Sequence, residues 1–169
     1  MSFRNIVLIA LASIALSPLR GQTSLPADKP HSVTQTSERD QLLKALEPCV
    51  KKARETYPTA RKRFLSGLEG KAFLSITVRL VDAEGRIEQA FVTVDSIDGS
   101  TITGKIASEI TTAKGKWKLG DRFTAQEEDI VDWTISHPES GTEEGNLLGK
   151  YIEFLQKGEA PPSCDPEGV

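Results

Sequence analysis

The sequence predicts an α+β domain: an N-terminal kinked amphipathic helix packed on a curved antiparallel sheet of about five strands, with a short C-terminal helix. Three observations carry this. Apolar residues recur at steps of three and four from Leu43 to Leu68, the period of a helix with one buried face. Beyond Gly67 and Gly70 the apolar period drops to two, the signature of strands. Turn sequences at Asp82 to Gly85 and at Asp98-Gly99 then tie successive alternating runs into a meander.

The first helix opens at Ser37-Glu-Arg-Asp40, a capping residue with an acid three positions on. Leu43, Leu46, Val50, Ala53, Tyr57, Ala60, Phe64 and Leu68 form its apolar stripe, and Pro48 and Pro58 are expected to kink or divide it. Its other face is basic, with Lys44, Lys51, Lys52, Arg54, Arg61, Lys62 and Arg63. Such a face suits anionic lipid, an envelope polymer, or an acidic surface of the same fold. Residues 121–169 hold twelve acids against three bases, so intramolecular complementarity is the expectation.

In Phe73 to Val81 the residues Leu74, Ile76, Val78 and Leu80 share one face, making the clearest strand. A second strand is predicted over Ile87–Ile97 and a third over Ser100–Ala107. Ser108 to Lys118 reads as an irregular crossover with a helical turn, after which Trp117 and Leu119 are expected to enter the core. A short strand follows at Arg122–Thr124. The final strand is predicted to begin at Glu127-Glu128-Asp129, with Val131, Trp133 and Ile135 on one face, and to end at His137-Pro138. Leu147 to Gln156 has the spacing of a closing helix.

Organisation follows from composition. Residues 1–21 have the layout of a secretory signal peptide: Arg4, an uncharged apolar core from Ile6 to Leu16, and a polar exit. Eleven apolar residues make about 16 Å of helix, roughly half a bilayer's hydrocarbon core, so no integral membrane segment is expected after cleavage. Residues 22–36 read as a flexible linker, 37–158 as a single domain and 159–169 as a C-terminal tail. The protein is thus expected to be exported, periplasmic or extracellular.

The formal charge is −3, and without Arg4 and Arg20 the remaining 19 basic and 24 acidic residues give −5. That balance disfavours nucleic acid as a partner. Cys49 and Cys164, the only cysteines, form a disulfide candidate in an oxidising compartment, with two free thiols as the alternative. Neither has the histidine spacing of a metal site, and no metal or other cofactor is expected.

Gly99-Ser-Thr-Ile-Thr-Gly104-Lys105 matches a phosphate-binding loop for seven positions, but Ile106 stands where Ser or Thr is required. The residues between the glycines alternate as a strand, so this is read as a hairpin. No nucleophile elbow, HExxH motif or cysteine–histidine pair is present. Glu127, Glu128, Asp129 and Asp132 fit no calcium loop and read as a solvated strand edge.

From Ala53 to about Lys157, several segments occur in a characteristic order. A helix ending in Arg63-Phe64-Leu65 precedes a hairpin with Glu88 and Phe91-Val92. Gly104-Lys105-Ile106, the run Lys118 to Trp133 (KLGDRFTAQEEDIVDW) and GNLLGKY follow. This order resembles the YegJ-like bacterial proteins, a domain-of-unknown-function family (DUF 2314). The resemblance implies one small α+β domain, often exported, of unassigned role, and carries over no catalytic residue.

If a ligand pocket exists, its candidate binding residues are Glu88, Asp129, Asp132 and Trp133. Strand parity sets Glu88 on the face of Ala90, Val92 and Val94, as an edge-of-core carboxylate with a specific partner or an acid beyond a bulge. The expected function is a non-enzymatic module binding an unidentified protein or envelope component. The alternatives are a carboxylate-dependent hydrolase using Glu88, Asp129 or Asp132, and an immunity or inhibitor protein.

Overall fold

The computed structural model describes residues 36–112, 116–159 and 164. The stretch read as a signal peptide, and most of those read as linker and tail, therefore lie outside the described residues. The element order is α1 (Thr36–Ser66), β1 (Phe73–Val81), β2 (Ile87–Asp98), β3 (Thr101–Ile106), β4 (Arg122–Gln126), a 3-10 turn at Glu127–Asp129, β5 (Ile130–His137), β6 (Thr142–Gly145) and α2 (Leu147–Gln156). The strands form one six-stranded antiparallel sheet in the order β4-β3-β2-β1-β5-β6.

Helix α1 packs on the sheet through its predicted stripe. Leu46, Val50, Ala53, Tyr57 and Ala60 are all buried, against Leu74, Ile76, Val78 and Leu80 of β1 and Ile130, Trp133 and Ile135 of β5. Of the two outcomes expected from its prolines, division does not occur, and α1 runs unbroken from Thr36 to Ser66. Pro48 and Pro58 both fall on its exposed side, so each missing N–H interrupts the ladder where water reaches the freed carbonyl.

The sheet cannot be flat. Four residue steps separate Gln126, which ends β4, from Ile130, which begins β5, and an extended chain covers about 14 Å in that distance. In the sheet these strands stand four positions apart, which would be about 19 Å if the sheet were planar. The sheet must therefore curl, and two register shifts accommodate the bend, at Thr77/Val78 against β5 and at Val94/Ser96 against β3. Gly104 lies opposite the second shift. A Cβ there would stand 2.1 Å from the Thr93 carbonyl oxygen, so only glycine permits the approach.

Three details differ from the sequence reading. β6 (Thr-Glu-Glu-Gly) adds a sixth strand, too short and polar to alternate visibly. Glu127–Asp129 is a 3-10 turn rather than the start of β5. The described part of the crossover contains bends up to residue 112 and a turn at Lys116, and the residues between them lie outside the described residues. Trp117 packs against the core edge-on to Phe123, with ring centroids 6.4 Å apart, but Leu119 stays 56% exposed at the turn before Gly120. Gly99 has φ 56° in a tight turn and Gly104 sits within β3, so the glycine-lysine segment is a hairpin.

Cys49, on the buried side of α1, is bonded to Cys164, with Cα atoms 4.9 Å apart across 115 positions. No helix among the described residues is long and apolar enough to cross a membrane.

Candidate functional site

The four candidate residues do not converge on one pocket. Each is engaged in internal contacts, and only the neighbours Asp132 and Trp133 share one. Glu88 is 8% exposed, on the core face of β2 as parity requires. Its Oε1 accepts hydrogen bonds from the Thr111 N–H at 2.7 Å and the Thr111 hydroxyl at 2.9 Å, and its Oε2 accepts from the Thr112 N–H at 2.8 Å. Of the two readings left open, the edge-of-core carboxylate with a specific partner is the one observed. The partner is the backbone of the crossover, which has no sheet to bond to and is held by this side chain.

Asp132 is 1% exposed beside the β1–β5 register shift. Its Oδ1 accepts from the Trp133 N–H at 2.8 Å and its Oδ2 from the Leu148 N–H at 2.7 Å. The residue preceding α2, Asn146, has left-handed geometry (φ 54°) and makes no capping bond, so Asp132 supplies from β5 the acceptor that a helix N-terminus needs. Burial pushes its carboxyl up to about 6, against the opposing pull of the backbone N–H groups of Leu148, Trp133 and Leu147 and of Lys150.

Asp129 is exposed, and its Oδ2 accepts from the Gln126 N–H at 2.8 Å, closing the 3-10 turn. Trp133 donates its indole N–H to the Ala53 carbonyl at 3.1 Å and the Thr56 hydroxyl at 3.0 Å, pinning α1 to β5. A raised carboxyl pKa marks catalytic acids when they face a cleft. Asp132 faces backbone donors instead. Among the described residues, no group of three or more His, Cys, Asp or Glu is placed to hold a metal ion.

The basic face of α1 meets the acidic half of the chain through its arginines. Arg54 donates to the carbonyls of Ile130 at 2.7 Å and Glu128 at 3.0 Å. Arg61 pairs with Glu127 at 2.7 Å and donates to the Gly99 carbonyl at 2.9 Å. Arg63 grips Glu144 of β6 with two N–H groups, the Nη2 arm at 2.9 Å. Lys44, Lys51 and Lys62 remain exposed. The division follows from chemistry: a planar guanidinium fork matches carbonyls and carboxylates at fixed geometry, whereas an ammonium gains more from water.

One of these contacts borders an open groove of about 500 Å³ at the C-terminal end of α1, lined by Thr59, Lys62, Arg63, Ser66, Glu69 and His137 among others. His137, expected to end the last strand, does end β5, with its Nε2 2.9 Å from Glu144 Oε1. The hydrogen bond from Arg63, followed by that with His137, holds the Glu144 carboxyl down to about 2. Glu144 is therefore a fixed anion that positions the Arg63 guanidinium and the His137 imidazole along one wall. Sequence reasoning did not bring Lys62 and Ser66 together with His137, which lies about seventy residues further on and shares no motif with them. The only trace was the opposite charge of α1 and the C-terminal half.

Comparison with known proteins finds no matching family model, curated relative or solved structure.

Proposed function

We propose that this chain is an exported, non-enzymatic binding module of the YegJ-like type, and that it binds a component of the cell envelope in the groove at the end of α1. One observation carries the reading. The acids best suited to catalysis each hold backbone donors in place, while the groove presents Lys62, the Thr59 and Ser66 hydroxyls and the His137 imidazole beside a fixed Arg63–Glu144 pair. A volume near 500 Å³ suits a small ligand or the end of a larger one. The disulfide is consistent with an oxidising compartment. The acidic C-terminal half commits Glu127 and Glu144 to α1, which argues against its use as a plug for a basic enzyme cleft.

The test is capture from an envelope extract by the immobilised protein, compared with the double variant Lys62→Glu/His137→Ala and with Asp129→Ala. Capture by the parent and by Asp129→Ala, lost in the groove variant, is the expected result. Equal capture by all three would move the site elsewhere. Turnover of an ester or glycoside panel that disappears in Asp129→Ala would replace the binding reading with the hydrolase one.

A further inference from the structure

Resting on that reading, we infer that the groove at the end of α1 recognises an amino-carboxylate zwitterion, a free amino acid or the end of a short peptide. The selection is electrostatic. Lys62 gives the groove a cationic side chain, beside the Arg63 guanidinium that Glu144 holds and the His137 imidazole. The opposite character comes from Glu69, just past Ser66, and from the last-turn carbonyls of α1, which form the negative end of a 31-residue helix.

A simple anion would gain from Lys62 but lie against Glu69 and the helix C-terminus. A simple cation would gain from Glu69 but lie against Lys62 and Arg63. A zwitterion satisfies both, its carboxylate towards Lys62 and His137 and its ammonium towards Glu69 and the C-terminal end of α1. The Thr59 and Ser66 hydroxyls line the same groove and serve as donors or acceptors to the polar body of such a ligand. Arg63 does not have to change partners. Its two-armed contact with Glu144 keeps the guanidinium in place, so the wall is formed before the ligand arrives.

The test is an NMR titration of the intact, disulfide-bonded protein, following the His137 ring and the amides of Ser66 to Glu69, with the amides of Lys51 and Glu55 on the outer face of α1 as the internal control. The probes are alanine, dialanine and trialanine, against acetate, inorganic phosphate and ethylamine. Saturable shifts are expected from the zwitterions, with acetate, phosphate and ethylamine at least tenfold weaker. Preference for alanine identifies free amino acids as the source, and preference for the longer probes identifies peptide ends.

Lys62→Glu and Glu69→Gln, both at exposed positions, should each weaken binding at least tenfold, and Lys51→Glu on the outer face of α1 should leave it unchanged. Acetate or phosphate binding as tightly as the zwitterions would overturn the inference in favour of an anion site, and ethylamine doing so in favour of a cation site. If no probe binds while envelope capture still depends on Lys62 and His137, the ligand class is wrong and the binding reading stands. If both fail, both fall.

Discussion

The Asp132 carboxylate of β5 accepts the backbone N–H of Leu148 at 2.7 Å, so the first turn of α2 is fastened to the sheet by a buried acid sixteen residues upstream. Replacing it with alanine leaves the Leu148 and Trp133 N–H groups buried without this acceptor. Each such loss costs about 1–3 kcal/mol, so Asp132→Ala should lower unfolding stability by roughly 2–4 kcal/mol at pH 4, measured by urea denaturation.

The same residue sets a pH dependence whose sign is opposite to that of an ordinary ion-paired carboxylate. Burial raises its folded-state pKa from 3.8 to about 6, so folding favours the protonated form. Its contribution is fully present below about pH 3.8 and is lost as the pH rises through 6, a change of about 3 kcal/mol. Glu144 works in the other direction, its depressed pKa contributing above the ordinary 4.5 and fading as the pH falls through about 2. The difference between the parent and Asp132→Ala isolates the first effect. That difference should shrink between pH 4 and pH 7, and a constant or growing difference would contradict the assignment.

Glu88 holds the crossover as Asp132 holds α2. With both oxygens bonded to Thr111 and Thr112, Glu88→Ala should release the segment around residues 109–112 without unfolding the sheet, because β2 keeps its backbone ladder to β1 and β3. Hydrogen exchange should show the Thr111 and Thr112 amides losing protection by a factor of ten or more, while Ala90 and Val92 change little. Equal loss at all four sites would mean that Glu88 supports the whole sheet.

These two acids show where the sequence was legible and where it was not. Period-two alternation put Glu88 on the core face and period-three-and-four spacing drew the α1 stripe, because one buried face imposes each pattern locally. Most partners of Glu88 and Asp132 are backbone N–H groups, which have no sequence identity, so no residue pattern announces them. β6 was invisible for a related reason: Thr142 to Gly145 is a strand only because β5 pairs with it. The α1 prolines do not divide the helix because Pro48 and Pro58 both face water, which can take up the freed carbonyls. The groove arises where the end of α1 meets the end of β5, a junction that exists only after folding.

The Cys49–Cys164 bond closes a loop of 115 positions, and loop-closure entropy gives such a bridge an upper worth of about 4–5 kcal/mol. Cys49 is fully buried against the core, so Cys164→Ser leaves a small thiol in a site that tolerates one. The variant should therefore fold to the same structure with a lower midpoint in guanidinium, and the parent should fall to the same midpoint in reductant. A Cys164→Ser midpoint equal to that of the oxidised parent would show that the tail was already constrained without the bond.

Tyr57 yields a prediction of the opposite sign. Its ring belongs to the buried stripe of α1, yet among the described residues its hydroxyl is buried without a hydrogen-bond partner. Burial first, and then the nearby Glu127 carboxylate, push the phenol up to about 12, while Arg61 opposes them. The hydroxyl therefore stays neutral at every physiological pH and gains nothing from the Arg61–Glu127 pair beside it. An unpaired buried polar group carries its desolvation cost with no return, so Tyr57→Phe removes a penalty and keeps the packing. The substitution should raise stability by up to about 1–2 kcal/mol, read as a higher urea midpoint at unchanged slope. Tyr57→Leu serves as the control. It also removes the hydroxyl but leaves a cavity under α1, and it should destabilise by about 1–3 kcal/mol. A loss of stability in Tyr57→Phe would show that the hydroxyl is bonded in solution and that the contact between α1 and the 3-10 turn is wetter than the packing indicates.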